Sequence, residues 1–487
     1  MTNFLQARVK FLEEQNAIFV NNNMLLIKEN TLLKQTVEVL EQALAKQKEN
    51  THNQQEQLNS QQQEINRLKE RLNLNSSNSS LPPSRDLYRK KKENKHQSHR
   101  KPGGQAGHQG YIYQPKPPDK IVELKPDLCS CGGSLKIKNR FTAKQRIELP
   151  PIKPYVTEYR CYHARCVQCQ RKIVAPLPVE VGKDLLGPHA KAIICALNGF
   201  CQNSKREVQA ILKEIFNLSV SLGLVCDTAK RVNKQLESSY ISIQQKIKNS
   251  EYLHIDETGH KNKGERGWAW VFTNQEDTLL KLTTSRGQQI LSETLGSYSG
   301  KVVSDRYAVY NYFWPDKRQI CWSHLTRDFE RFAHSLNPSL SAEGTRLVSL
   351  SKEIFTLTKA VIKELIKENY YLRRISKVKR EIGYIFKKIL RIRGIPHAHR
   401  VIGRMLKSFS MMWLFVKEKG IAMTNNLAER QLRKYVIYRK KLLFTWSEWG
   451  NQYVERMLSL YLSYRLRKDN AFAKLYSFIQ NTSLVGV

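Results

Sequence analysis

Leu253-His254-Ile255-Asp256-Glu257-Thr258 is the stretch on which the fold turns. Its short apolar run, closing on Asp256, reads as a buried strand with a carboxylate at its end. Val302-Val303-Ser304-Asp305-Arg306-Tyr307 repeats the arrangement. Asn425-Asn426-Leu427-Ala428-Glu429-Arg430 sets a third carboxylate on a helix, which Asn425 or Asn426 would cap so that Glu429 falls in its first turns. Carboxylates gathered at one sheet edge are what two divalent cations need for phosphoryl transfer on nucleic acid. Each also has an ordinary reading. An Asp after a strand is commonly a solvated turn residue, and Glu429 with Arg433 at i and i+4 would make a surface ion pair. Glu257, Asp328 and Glu330 compete for the third position.

Working outward, strands are expected over residues 252–256, 268–272, 278–284, 301–304 and 318–322, with a helix over 287–295 before the fourth. Three hairpin-like strands, a helix and two further strands is the order of a ribonuclease-H-like α/β core. Asp256 would end its first strand and Asp305 its fourth, which are neighbours in such a sheet. Residues 249–335 form the first part of this core. Residues 336–422, mostly helical and lysine-rich with helices expected over 354–368 and 378–390, read as an insertion. The core resumes over 423–487 with Glu429.

The 487 residues hold 81 Lys+Arg against 43 Asp+Glu, a net charge of +38. Self-repulsion of that size opposes compaction unless a polyanion neutralises it. Basic residues recur along the whole chain, which favours an extended nucleic-acid footprint over a single basic tail. A basic soluble protein, such as a ribosome-associated factor, is the plainer alternative. No apolar run approaches the ~20 residues of a membrane span, and Met1-Thr2-Asn3-Phe4 lacks the pattern of a signal peptide. Nine cysteines with no export signal argue against a disulfide framework. The expectation is a cytoplasmic, nucleoid-associated protein.

Residues 1–75 carry a heptad: Leu5, Leu12, Phe19, Leu26, Leu33 and Leu40 at d, with Val9, Asn16, Asn23, Asn30, Val37 and Leu44 at a. Leu at d with recurrent Asn at a is the pattern of a parallel two-stranded coiled coil, hence a homodimer. Gln47, Gln54 and Gln61 weaken the middle, and a single helix packed on its own catalytic domain is the alternative. Residues 76–113 form a flexible Gly-rich linker with Arg89, Lys90, Lys91 and Lys92, suited to lying against phosphates or to plain solvation. In residues 114–180, Cys129-Ser130-Cys131 and Cys166-Val167-Gln168-Cys169 suggest a zinc-ribbon-like site in which Cys129, Cys131, Cys166 and Cys169 hold a structural Zn²⁺. The first pair is C-x-C rather than C-x-x-C, so Cys161 and His163 stand as substitute ligands. Residues 181–248 read as helices in helix-turn-helix order, the third carrying Lys230 and Arg231, although any small bundle would look similar.

Five ordered strings now stand together: His-Ile-Asp-Glu-Thr-Gly, Trp-Ala-Trp-Val, Ser-Asp-Arg-Tyr-Ala-Val-Tyr, Cys-Trp-Ser-His-Leu-Thr-Arg-Asp-Phe and Asn-Asn-Leu-Ala-Glu-Arg-Gln-Leu-Arg. They resemble those of the insertion sequence 66 family of DDE transposases. The upstream order is similar too, with a zipper-like helix, a Lys-Pro-Gly-Gly-Gln-Ala-Gly-His linker and a zinc-binding segment. Arg306 stands where the family commonly has Gly, and Thr424 where Asp often precedes the Asn pair. The resemblance implies that Asp256, Asp305 and Glu429 are a metal-binding catalytic triad for Mg²⁺, with Mn²⁺ as a substitute. It also implies action on the terminal inverted repeats of an element and on target DNA, with accessory proteins of the same element as further partners.

DNA-binding candidates around the triad are His324, Arg327, Arg430, Arg433 and Lys440, with His324 equally suited to a structural place at the sheet edge. Trp446 and Trp449 are suited to stacking on a base or to core packing. The rival functions are a catalytically inactive transposase remnant acting as a repressor, a ribonuclease-H-like nuclease, and a structural coiled-coil protein, which would account only for the first 73 residues.

Overall fold

The computed structural model describes residues 2–72, 114–127, 129–137, 139–178, 181 and 184–484. Two compact units divide the chain: Met1–Leu87 with Glu330–Thr345, and Tyr88–Phe329 with Arg346–Val487. In the first, α1 (Thr2–Leu72) is one continuous helix, about 107 Å long at 1.5 Å per residue. Its expected d residues, Leu5 through Leu40, all face solvent along the helix.

The second unit begins with a short antiparallel hairpin, β1 (His163–Arg165) and β2 (Lys172–Val174). Four helices follow: α2 (Pro188–Cys195), which runs on into a π-helical turn at Ala196–Phe200, α3 (Lys205–Glu214), α4 (Leu222–Gln235) and α5 (Glu237–Lys248). Their boundaries have local causes. Pro188 occupies the first turn of α2, Ser204 and Glu207 close a capping box on α3, and the Ser221 hydroxyl accepts from the Leu224 N–H. Leu186, Ile194, Val208, Leu212 and Val225 make a small core among α2, α3 and α4.

The central sheet comprises β3 (Tyr252–Asn262), β4 (Glu265–Thr273), β5 (Thr278–Thr283), β6 (Lys301–Ser304) and β7 (Arg318–Ile320), with α6 (Gln289–Leu295) between β5 and β6. The strand order is β5-β4-β3-β6-β7. β4 runs antiparallel to both β3 and β5, and β6 and β7 continue the sheet in parallel with β3.

After β7 come α7 (Trp322–Ala333), α8 (Pro338–Ile362), α9 (Glu368–Ile389), α10 (Pro396–Lys407) and α11 (Leu414–Lys417). The chain ends with α12 (Asn426–Lys441), α13 (Glu448–Leu466) and α14 (Ala471–Leu484). The helix expected over 354–368 instead starts at Pro338 and stops at Ile362. The stop lies where Glu364 turns left-handed and the Leu365 N–H bonds back to the Ala360 carbonyl. The excursion from β7 to α12 leaves and rejoins the sheet at one place, where the Trp322 N–H donates to the Met423 carbonyl at 3.1 Å.

Side-chain alternation along the strands assigns the two faces of the sheet. Leu253, Ile255, Trp270 and Phe272 enter a core with Ile243, Ile247, Leu291 and Tyr310. Ala269, Val271, Leu280 and Leu282 point the other way and meet Leu432 and Tyr435 of α12 and Val454, Leu458 and Leu462 of α13. Tyr453, Met457 and Leu460 of α13 join the first core, so this helix is buried nearly all round.

The strand carrying Asp256 is longer than the sequence suggests. It runs six residues past Asp256, because β3 and β4 close a hairpin through Lys263 (φ 51°) and Gly264 (φ 84°), two consecutive left-handed residues suited to a two-residue turn. What ends near Asp256 is one neighbour: β6 pairs only with Tyr252, Leu253 and His254. Beyond that point the edge of β3 is open to α12.

Candidate active site

Residues of one parity on β3, namely His254, Asp256, Thr258 and His260, oppose a row of α12 at helical spacing. The Asn425 side chain donates from Nδ2 to the Ile255 carbonyl at 2.7 Å and takes the His254 Nδ1–H on Oδ1 at 3.2 Å. Ten residues beyond Glu429, Arg439 Nη1 donates to Thr258 Oγ1 at 2.9 Å and to the Gly259 carbonyl. Between them Tyr435 hydrogen-bonds His260 Nδ1. The open edge of the strand is thereby covered by side chains of one helix. Asn425 is the N-cap residue, as expected, but its side chain makes no capping bond. It is spent on β3, on His254 and on the Ile255 carbonyl next to Asp256.

Asp305 and Glu429 lie near enough to Asp256 for their charges to act on it, but the three carboxylates do not form a group with ligand atoms all within 4.8 Å of one another. Burial pushes the Asp256 carboxyl well above its ordinary pKa, and the neighbouring charges of Glu257, Asp305 and Glu429 push it further. Asp305 follows the last residue of β6, and its Oδ1 accepts from the Tyr307 N–H at 2.9 Å, closing a small turn. Arg318, buried at the start of β7, holds that turn from behind: Nε donates to Ser304 Oγ at 3.0 Å, Nη2 to the Asp305 carbonyl at 2.7 Å and Nη1 to Asn311 Oδ1 at 2.8 Å. Burial lowers the Arg318 pKa to about 10.

Glu429 lies beside α7, with His324 Nδ1 at 3.7 Å and Arg327 Nη2 at 4.0 Å from its Oε1. Oε1 of Glu429 and Nδ1 of His324 are both buried without a hydrogen-bond partner. Burial, reinforced by Arg327 and Arg306, lowers the His324 pKa to about 3, so its ring is neutral at pH 7.

Glu257 and Asp328, two of the three competing carboxylates, have cationic partners of their own. Glu257 points to the opposite face of β3, where Arg286 Nη2 donates to Oε1 at 2.5 Å and the Tyr310 hydroxyl donates to Oε2. Asp328 accepts from Arg306. Among the described residues, Cys321, His324 and Glu429 form the one group of three or more His, Cys, Asp or Glu whose ligand atoms lie within 4.8 Å of one another. Cys321 there is a buried thiol whose pKa is raised by that burial, and its sulfur accepts the Asn425 N–H at 3.1 Å. That bond makes it part of the clamp at the start of α12.

A family model described as Transposase IS66 family matches residues 201–453, more than half of the chain and all three carboxylates. The chain belongs to the IS66 transposase family. A second model, a family of unknown function (DUF6444), matches residues 26–112. An uncharacterized protein of Sinorhizobium fredii, y4hP, is 22% identical over 383 residues, which is 72% of this chain and 69% of that protein.

Elsewhere in this IS66-family chain the expected site residues are distributed unevenly. Arg430, Arg433 and Lys440 are exposed on α12. Arg231 is tied to Asp184, and Lys230 lies over the Trp449 ring at 5.6 Å, with Lys205 over the same ring at 4.7 Å. Trp449 is half-buried by these contacts, whereas Trp446 is exposed. Arg89, Lys90, Lys91 and Lys92 lie outside the described residues.

The cysteines form two separate turns. The Gly132 N–H donates to the Cys129 carbonyl at 2.9 Å, with Cys129 and Cys131 sulfurs 3.3 Å apart, and the Gln170 N–H donates to the Cys166 carbonyl at 2.9 Å. The four thiols are not drawn into one cluster. Backbone and thiol hydrogen bonds within each turn lower the pKa of Cys129 and Cys166.

Sequence reasoning missed Arg318, Arg286 and the role of Asn425. The signal for Arg318 was present: an arginine opening the short run Arg318-Gln319-Ile320 has to be buried with partners if that run is an inner strand.

Proposed function

We propose that this protein is a DNA transposase that cleaves and joins phosphodiesters through Asp256, Asp305 and Glu429. The carrying observation is the family match, which spans all three carboxylates, together with their placement on β3, at the end of β6 and on α12; Asp256 is buried, and Glu257, Asp305 and Glu429 are its charged neighbours. Like charges gathered in a buried site destabilise one another unless cations join them. The unpartnered Oε1 of Glu429 supplies a further ligand atom. An all-carboxylate donor set fits hard cations such as Mg²⁺, with Mn²⁺ as a substitute. Two such ions, when bound, supply activation of the attacking oxygen and stabilisation of the leaving one. The strand order β5-β4-β3-β6-β7, antiparallel then parallel, supports a ribonuclease-H-like core.

The protein's own residues then hold and orient DNA. Arg430, Arg433 and Lys440 follow Glu429 along α12 and suit contacts to backbone phosphates. His324 and Arg327 flank Glu429, and Arg327 suits the scissile phosphate. The excess of 38 positive charges favours long contact with inverted-repeat and target DNA. The exposed heptad face of α1 supports a homodimer, and the two cysteine turns would serve Zn²⁺ if brought together. Among the described residues no helix is long and apolar enough to cross a membrane.

The test is strand transfer on labelled element-end DNA with Mg²⁺, wild type against Asp305→Ala. Joined products lost in the variant are expected. Specific binding with no cleavage by either protein would favour a repressor remnant, and cleavage that survives the substitution would place the active site elsewhere.

A further inference from the structure

Beyond the carboxylates, β3 and α12 continue side by side to a cleft of about 510 Å³, within the size range of small-ligand sites. Gly259, Lys261, Arg266, Trp268, Arg439 and Phe444 line it. Gly259 lines it without a side chain, and Arg439 reaches in to bond its carbonyl. Phe444 forms the opposite wall from a backbone that few bulky residues adopt: Leu443 and Phe444 have φ of 52° and 72°. Such a conformation persists where its surroundings over-determine it. Here Thr445 is pinned to the β3–β4 hairpin, the Lys263 N–H donating to its carbonyl at 3.0 Å and its hydroxyl donating to Asn451 Oδ1 at 2.6 Å.

The chemistry of this lining is one-sided. Its charged members are all cations, Lys261, Arg266 and Arg439. Its ring members are Trp268, Phe444 and His260, the last neutral with a pKa lowered to about 4 by burial. The guanidinium of Arg266 lies over the Trp268 ring at 5.2 Å and that of Arg286 at 4.4 Å, so the flat surface offered is part indole and part guanidinium. Aromatic and guanidinium planes beside a cationic track are how proteins hold unpaired bases. A duplex offers its phosphates to such a site but no base face.

We propose that this cleft holds one unpaired nucleotide of the DNA strand, its base against Phe444 and Trp268 and its flanking phosphates on Lys261, Arg266 and Arg439. The proposal rests on the DNA-transposase reading. Ten residues of α12 separate Glu429 from Arg439, about 15 Å. The held nucleotide would therefore lie within a few nucleotides of the scissile phosphate.

Full-length protein should be titrated with fluorescein-labelled oligothymidylate and with blunt duplex, as wild type, Phe444→Ala, Arg266→Glu and Lys261→Ala. Phe444→Ala is expected to weaken oligothymidylate about 10-fold while leaving duplex affinity unchanged. Lys261→Ala is expected to lower the slope of log K against log salt by about 0.7. Arg266 is exposed, so Arg266→Glu tests the cleft without risk to folding, and it should weaken oligothymidylate at least as much. Wild-type affinity in both Phe444→Ala and Arg266→Glu would overturn the proposal, as would equal loss for single strand and duplex. If wild type performs strand transfer while these variants bind normally, the cleft assignment alone falls. If wild type binds as described but never cleaves with Mg²⁺, the catalytic reading falls instead.

Discussion

Replacing Asn425 by alanine probes the clamp that carries Glu429 to β3. The side chain is fully buried and bonds the Ile255 carbonyl at 2.7 Å and His254 Nδ1 at 3.2 Å. Its removal leaves a buried acceptor and a buried donor unmatched, each costing about 1–3 kcal/mol, so a loss of about 3 kcal/mol is expected. Against an ordinary stability of at least ~5 kcal/mol, ~2 kcal/mol remains and roughly 97% of the protein stays folded at 25 °C. Unfolding therefore cannot account for a large loss of activity. A carboxylate displaced by about 1 Å is expected to lower strand transfer about 100-fold. Urea denaturation followed by tryptophan fluorescence gives the first quantity, and initial rates on labelled element-end DNA the second. Strand transfer within threefold of wild type, alongside the expected shift in midpoint, would refute the positioning role. An unchanged midpoint would refute the hydrogen bonds themselves.

Three further outcomes follow from the same geometry. Mg²⁺ at 100 times its Kd should stabilise wild type by about 2.7 kcal/mol in thermal melts and leave Asp305→Ala unmoved; without metal, Asp256→Asn should lose less stability than wild type as pH rises above the ordinary carboxylate range, because burial and its charged neighbours hold the Asp256 pKa up. His254 is held neutral by burial, its pKa lowered to about 4 from the usual ~6.5. The unfolded chain thus binds the proton first, and about 3 kcal/mol of stability is lost as pH falls from 6.5 to 4, a slope that His254→Gln should flatten in urea titrations at stepped pH. Leu26→Glu with Leu33→Glu, on the exposed face of α1, should convert a dimer to a monomer in sedimentation, and a wild-type monomer would dismiss the coiled coil.

The sheet was largely legible because its strands alternate or run apolar over short stretches bounded by turn residues, as in Trp268–Phe272 and Lys301–Ser304. Legibility failed at Asp256, where periodicity marks the end of apolar residues and not the end of pairing; polar His260 and Asn262 remain in the ladder because β4 is there to meet them. The nomination of Glu429 rested on its place in the Asn-Asn-Leu-Ala-Glu-Arg string, and what carries it to Asp256 is invisible locally: Asn425 reads as a cap yet bonds a strand 170 positions earlier. Arg318 was passed over because a charged residue in an apolar run looks like a boundary until its three partners are known. The cysteine spacing suggested one site, but the turn geometry of Cys129–Gly132 and Cys166–Gln170 is local and does not by itself bring the pairs together.

The pinning of Trp322 to Met423 bears on how the sheet and its helices tolerate change. Since the two ends of the excursion are held against each other by the sheet, the core sees a closed handle and not a spacer. Lengthening such a loop is cheap, about 0.6 kcal/mol for each doubling. Met412 and Phe415, which bond Gln319 and Trp322, must stay, while the parts of the excursion that do not touch β7 are open to enlargement or trimming. The distance between β3 and Glu429 would hold throughout, because it is set by Asn425 and Cys321 at the neck of the handle.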